Sequence, residues 1–385
     1  MPKTVYYASV GPTLSLYDLD IDAAALTKRA AVKLPANIQY AWPHPLRRSL
    51  YVVSSTGGPG IAGDKHYASA LTIDPASGML RPHGEPVALP SRPIHTSLDA
   101  SGAYLLTAHN SPSSVSVHRV KADGTIGAPV VQPGGLDTGI YAHQILAAPG
   151  NRAVILVTRG NNAVPGKPED PGAIKIFGFA NGVLSNLASV APKNERGDGL
   201  GFGPRHLDFH PSKPWVFVSI ERQNKLHVYK LDAERGLARE PIFVRDTLSD
   251  PASPAPQGAG PIHVHPNGKF VYLTNRTFPA SGPGAREIAP GGENSVAVFA
   301  IDQTTGEPNL IQNIDGRGVQ LRTFGINPSG RILVVASIMS LADGTLPAGI
   351  TVMRIGADGK LTFVRKYDVD VGDSQQFWSG MVTLP

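Results

Sequence analysis

A small set of arginine, histidine and glutamate side chains in this 385-residue chain could do chemistry together. His95, His143, the pair Arg205–His206, His263 and Arg322 each stand where an apolar strand is about to begin. Asn110, Arg159, Glu221 and Arg276 each stand where the following strand ends. Arginine presents a planar fork of donors and stays charged, so several of them suit a carboxylate or phosphate. A histidine or glutamate beside them can take a proton from water. The set therefore predicts a site that binds a small anionic substrate and activates water beside it. The bland alternatives are an Arg205–Glu221 ion pair within one sheet, solvated rim charges at Arg159 and Arg322, and histidines that only bond a neighbouring strand.

These residues span more than 200 positions, so only a repeating fold can bring them together. One repeated element is an alternating strand that leads into a glycine turn. It reads Leu14–Asp20, Tyr67–Asp74, Val115–Val120, Ile174–Phe179, Leu226–Asp232, Val296–Asp302 and Ile350–Ile355, which is seven copies. Before each copy after the first comes a short strand, a Pro/Gly/Asp turn and an apolar strand, as in His263-Val-His-Pro-Asn-Gly-Lys-Phe-Val-Tyr-Leu273. The turns recur about every 50 to 62 residues, near the spacing of propeller blades. The first copy lacks its opening strand, and Phe377–Leu384 can supply it. The expected fold is thus an all-β, seven-bladed β-propeller of four-stranded antiparallel blades. It forms one domain over residues 1–385, with the N- and C-terminal strands sharing a composite blade and removing the free sheet edges. The 42 glycines and 35 prolines fit such a turn-rich chain.

In a meander, the loop entering the first strand of a blade and the loop leaving the second lie on one face. The long loops 55–66, 159–172, 191–204, 246–261, 277–294 and 338–349 all fall there, while the opposite turns are tight. Long loops on one face usually build the binding site. His210 and His265 belong to the opposite turns and are expected to be structural.

Composition excludes several classes. With no cysteine there is no disulfide, thiolate metal site or cysteine nucleophile. No metal or other cofactor is expected. Gly57–Gly60 and Gly197–Gly203 do not link a strand to a helix and do not read as nucleotide loops. The net charge is +5, but the basic residues are scattered, which argues against nucleic acid. No apolar run reaches membrane-spanning length, and the start of the chain lacks a signal-peptide core. No membrane contact and a cytoplasmic location are the resulting expectations.

The stretch Gly203-Pro-Arg-His-Leu-Asp-Phe-His-Pro211, followed by Val218-Ser-Ile-Glu221, resembles the signature of the seven-bladed lactonase family, which includes bacterial 6-phosphogluconolactonase and fungal 3-carboxy-cis,cis-muconate cyclase. Ala142-His143, Ile262–Tyr272 with Asn275-Arg276, and Thr323–Gly330 agree with it. The resemblance implies a metal-independent lactonase acting on an anionic, sugar-derived lactone, with His143, Arg205, Glu221 and Arg276 as its catalytic residues. His95, Asn110, Arg159, His206, His263 and Arg322 are left as candidate substrate-binding residues. A muconate-type cycloisomerase in the same site, or a non-catalytic binding propeller, are the alternatives. Asn275 departs from the aspartate usual before the second arginine, and the inserts at 159–172 and 277–294 reshape the pocket.

Overall fold

A computed structural model describes residues 3–192, 197–232, 236–279, 286–288 and 290–384. Parts of the predicted loops 191–204 and 277–294, and the chain ends, lie outside the described residues. The strands form seven antiparallel sheets arranged in a closed ring. Each blade runs outward from an inner strand. These inner strands are Ser379–Thr383 for blade 1, then Asn37–Pro43, Pro93–Leu98, Ala142–Ala147, Pro204–Phe209, Gln257–Val264 and Val319–Ile326 for blades 2 to 7. The second strands are Thr4–Val10, Ser49–Ser55, Tyr104–Asn110, Ala153–Thr158, Trp215–Ile220, Phe270–Thr277 and Ile332–Met339.

The ring closes as the missing half-unit required. Ser379–Thr383 pairs with Thr4–Val10 in the register Ala8↔Ser379 to Thr4↔Thr383. The Leu384 amide then donates to the Lys3 carbonyl at 2.7 Å. Both ends of the chain are thereby tied into one sheet.

Two details differ from expectation. Blade 2 has a fifth strand, because its outer edge is broken into Leu80–Pro82 and Val87–Ala88, both paired with His66–Ile73. In blade 6 the inner strand begins at Gln257, inside the predicted loop 246–261. A bulge at Gly260–Pro261 lets it continue through residues that read as loop.

The second strands are apolar and buried on both sides, for example Trp215–Ile220 and Ile332–Met339. Each sheet packs face to face with the next, so the hydrophobic core is a series of layers rather than one mass. Val5, Leu16, Leu50 and Val52 form the layer between blades 1 and 2, and Ile155, Ile176, Val216 and Val218 that between blades 4 and 5. Seven such layers close the circle.

The tight turns on one face lock neighbouring blades. His210 Nε2 lies 2.9 Å from the Gly268 carbonyl oxygen while its Nδ1 accepts from the Lys213 amide. His265 does the same to Gly330 in the next blade. Gly268 has φ +72°, and a Cβ there would sit 2.6 Å from the His210 ring. Gly268→Ala is therefore expected to cost roughly 1–3 kcal/mol, read as a lower urea midpoint with an unchanged slope. An unaltered midpoint would remove the blade-locking role.

Candidate active site

Register irregularities in the inner strands aim the chemistry. One residue is extra in six of the seven inner strands, opposite a regular second strand. The extra residues include Gln39, Ile94, His143, Arg205 and Arg322. In blade 1 the Ser9 amide donates to Trp378 O and the Gly11 amide to Gln375 O, which puts the same one-residue slip beside Phe377. A bulge breaks the in–out alternation and re-aims one side chain. Here it does so in each blade at the same height, and the result is a ring of side chains at the mouth on the long-loop face.

A cavity of about 350 Å³ opens among them. His143, Arg159, Glu221, Arg276 and Arg322 line it, joined by Arg92, Tyr141, Gln320, Phe278 and Phe377. Glu221 leaves its strand in a single 3₁₀ turn, Glu221–Gln223. Gly258 lies against it, where a Cβ would come within 2.8 Å of the Glu221 side chain and 2.6 Å of Phe278. The carboxylate is 1 % exposed. Arg159 Nη1 donates to its Oε2 at 3.0 Å, Arg276 donates to Oε1, and Arg205 Nε stands 3.6 Å from Oε1. Burial alone would raise the Glu221 carboxyl, but Arg159, Arg276 and Arg205 outweigh it and hold the group well below the usual carboxylate range. Glu221 is therefore a fixed anion with both oxygens occupied, which suits an organiser of arginines better than a base.

His143 is in the opposite condition. Burial, then the charges of Arg205, His206, Arg322 and Arg159, push its imidazole well below the ordinary histidine value. It is neutral at pH 7 and can accept a proton. Its Nδ1 is buried without a partner, which leaves Nε2 for the cavity. Tyr141 stacks on it with ring centroids 6.3 Å apart and planes 17° apart, and Arg159 lies 4.5 Å above the Tyr141 ring.

Arg322 differs from the other arginines. Its guanidinium lies 3.5 Å from the centre of the Phe377 ring, and no carboxylate among the described residues pairs with it. Burial and the neighbouring Arg276 and Arg92 push it down to about 9, so it is a cation held among cations. Arg92 donates from Nε and Nη2 to Gln39 Oε1 at 3.0 and 2.9 Å. One carboxylate thus faces five guanidiniums in and beneath this cavity.

The remaining sequence candidates lie elsewhere. Arg205 is 1 % exposed and does not line the cavity; it lies beneath Glu221. Asn110 is buried beside the Tyr141 phenol, outside the wall. His95 and His206 follow the bulged residues and point down the channel. His95 packs on Tyr40 at 4.1 Å and on Trp42 at 5.8 Å, and His206 lies 5.1 Å from His143 and 6.1 Å from His95, ring centre to ring centre. His263 faces a second cavity among Tyr40, Trp42, Phe324 and Trp378, with Asp208 Oδ2 3.4 Å away. Those three histidines are not brought to the site, because each residue along an inner strand advances about 3.3 Å down the channel. Asn275 is fully buried behind the wall, donating to Thr247 O and Ser295 Oγ. Among the described residues no cluster of three or more His, Asp or Glu side chains is placed to hold a metal, and no helix is long and apolar enough to cross a membrane.

Arg92, Tyr141, Gln320, Phe278 and Phe377 escaped sequence reading. Arg92 carries one usable signal, since it stands at the opening of an inner strand, much as Arg205 does. Tyr141 carries none, because its position depends on φ +60° at a non-glycine residue.

A seven-bladed propeller with a strongly cationic pocket around one buried carboxylate has the chemistry to hold a small anion. Residues 4–373 match the family model described as "Lactonase, 7-bladed beta-propeller", and the chain belongs to that family. It is 32 % identical over 312 residues to 6-phosphogluconolactonase of Pectobacterium carotovorum, covering 81 % of this chain and 80 % of that one. The Bacillus subtilis protein of the same name is 28 % identical over 326 residues, 83 % of each chain. The periplasmic gluconolactonase PpgL of Pseudomonas aeruginosa shares the fold across the full length of both chains, with a TM-score of 0.74 at 20 % identity.

Proposed function

We propose that this lactonase hydrolyses an anionic, sugar-derived lactone, with 6-phosphogluconolactone as the first substrate to test. Arg322 carries the reading. It is a preorganised guanidinium, held over the Phe377 ring, flanked by Arg276 and Arg92 and, among the described residues, without a carboxylate of its own. A substrate phosphate or carboxylate supplies the missing countercharge.

His143 then acts as general base on water through Nε2, while Arg276 and Arg159, clamped by Glu221, face the oxyanion that develops at the lactone carbonyl. Arg205 supports this arrangement from below. Arg205, buried and outside the cavity wall, does not reach the substrate, and Arg322 takes the anion-binding place. Substrate binding also tunes the base, since an anion beside Arg322 offsets a cation that depresses the imidazole.

The test compares 6-phosphogluconolactone with unphosphorylated glucono-δ-lactone on wild type and Arg322→Ala. A lost charge-assisted hydrogen bond is worth about 1.5–3 kcal/mol. KM for the phosphorylated lactone is expected to rise roughly 10- to 150-fold, with little change for the neutral one. If the wild type opens neither lactone, the substrate reading fails; if both KM values rise equally, Arg322 is not the anion site.

A further inference from the structure

Opening a sugar lactone expels an alkoxide, which must be protonated as the ring C–O bond breaks. Neither clamped arginines nor an ionised Glu221 donates that proton well, and His143 is occupied by the attacking water. Building on the lactonase reading, we infer that Tyr141 is the general acid: its phenol lines the cavity, stacks on His143, sits under the Arg159 guanidinium, and is held there by a backbone twisted into the left-handed region.

That backbone is the first reason. Tyr141 has φ +60°, a conformation that costs a bulky residue on the order of 1–3 kcal/mol and survives only where the surroundings enforce it. Its carbonyl accepts from the Arg159 amide at 2.9 Å, so the twisted residue is tied to the arginine that covers its ring. Tyr141 stands two residues before the bulge at His143, and the two irregularities together turn both rings toward one cavity.

The second reason is what faces the phenol. Arg159 directly follows the second strand of the same blade, Arg92 and Asn110 belong to the preceding blade, His143 is two residues on, and Glu221 belongs to the next blade. Burial alone would raise the phenol, yet Arg159, Arg92 and the Asn110 side chain outweigh burial and Glu221 and keep it below the ordinary tyrosine value. A phenol made more acidic by its neighbours is a better proton donor near neutral pH.

The step balances. Water forms the new C–O bond at the carbonyl carbon and gives a proton to His143 Nε2. The ring C–O bond breaks, and its oxygen takes the Tyr141 phenolic proton to become a hydroxyl. The imidazolium then returns its proton to the phenolate through cavity water, leaving a hydroxy acid whose carboxyl ionises into solvent.

Tyr141→Phe keeps the ring stack and the cation–π contact and removes only the proton. On a six-membered sugar lactone it is expected to lower kcat about 100-fold or more, with KM little changed. Since the acid works protonated, wild-type kcat should fall as pH rises through the lowered phenol value, and Tyr141→Phe should lack that alkaline limb. Asn110→Ala, which removes one group favouring the phenolate, should move the limb to higher pH. Ultraviolet titration of the substrate-free protein reads the same group without turnover: one tyrosinate should appear below the ordinary range in wild type and be missing in Tyr141→Phe. A variant that keeps kcat within about threefold, or keeps the alkaline limb, overturns the assignment. A wild type that opens no lactone but shows the early tyrosinate would sink the substrate reading and leave the activated phenol standing.

Discussion

Glu221→Gln is expected to cost about 3–5 kcal/mol of stability and to abolish nearly all lactone opening. The carboxylate is the shared counterion of Arg159, Arg205 and Arg276, and all four side chains are buried or nearly so. Glutamine matches the shape but removes the charge and turns an NH₂ toward donors. Arg159 can still lean on Tyr141, and Arg276 reaches the cavity. Arg205 has no such outlet, for its Nε and Nη1 have no hydrogen-bond partner and its exposure is 1 %. Breaking one side of a buried pair strands the other side, and that stranded charge is the larger part of the loss. Denaturant unfolding of Glu221→Gln, Arg205→Met and the double variant separates the two effects. The double variant should be more stable than Glu221→Gln alone, since the stranded cation is gone. A Glu221→Gln loss below about 1 kcal/mol, or a double variant no better than the single, would show that the cluster is solvated and that Glu221 does not organise it.

The blades were legible because a propeller repeats one physical requirement seven times. Each blade needs a buried second strand and a glycine turn after the third, and alternation plus turn residues announce both. The shared terminal blade followed from a missing half-copy, and Ser379–Thr383 fills it. What sequence could not show is register. The one-residue slips at His143, Arg205 and Arg322 decide which side chains turn to the mouth, and nothing in local composition marks them. Hence His95, His206 and His263 read as equals of His143, although they sit down the channel or at its far end. The same blindness hid Tyr141, whose left-handed backbone is set by tertiary contacts rather than by residue type. Arg159, Glu221 and Arg276 were found because the ends of second strands are marked by the loops that follow them.

The buried histidines make the fold itself sensitive to acid. His109 and His227 are pushed down to about 4 and His95 to about 3, in each case by burial first. His109 is further pressed by His118 and His66, and His95 by His263 and Arg205. In the unfolded chain each ring titrates near 6.5. Between the folded and unfolded values the unfolded state binds more protons, so stability rises with pH there and is lost as pH falls below about 6.5. At pH 5 a ring at 4 costs about 2 kcal/mol, and three such rings approach the whole stability of an ordinary domain. Carboxylates do not offset this, because Glu221 stays ionised throughout that range. The melting temperature should therefore be nearly flat above pH 7 and fall steeply between pH 6.5 and 5. His227 tests the cause most cleanly: it lies between Phe202 and Tyr229, its Nε2 has no partner, and it is far from the cavity wall. His227→Phe should recover about 2 kcal/mol of the loss at pH 5 while leaving the pH 7.5 stability and the kinetics close to wild type. A melting temperature that holds constant down to pH 5 would mean that these rings are protonated in the folded state, and that the channel and blade interfaces admit the water needed to charge them.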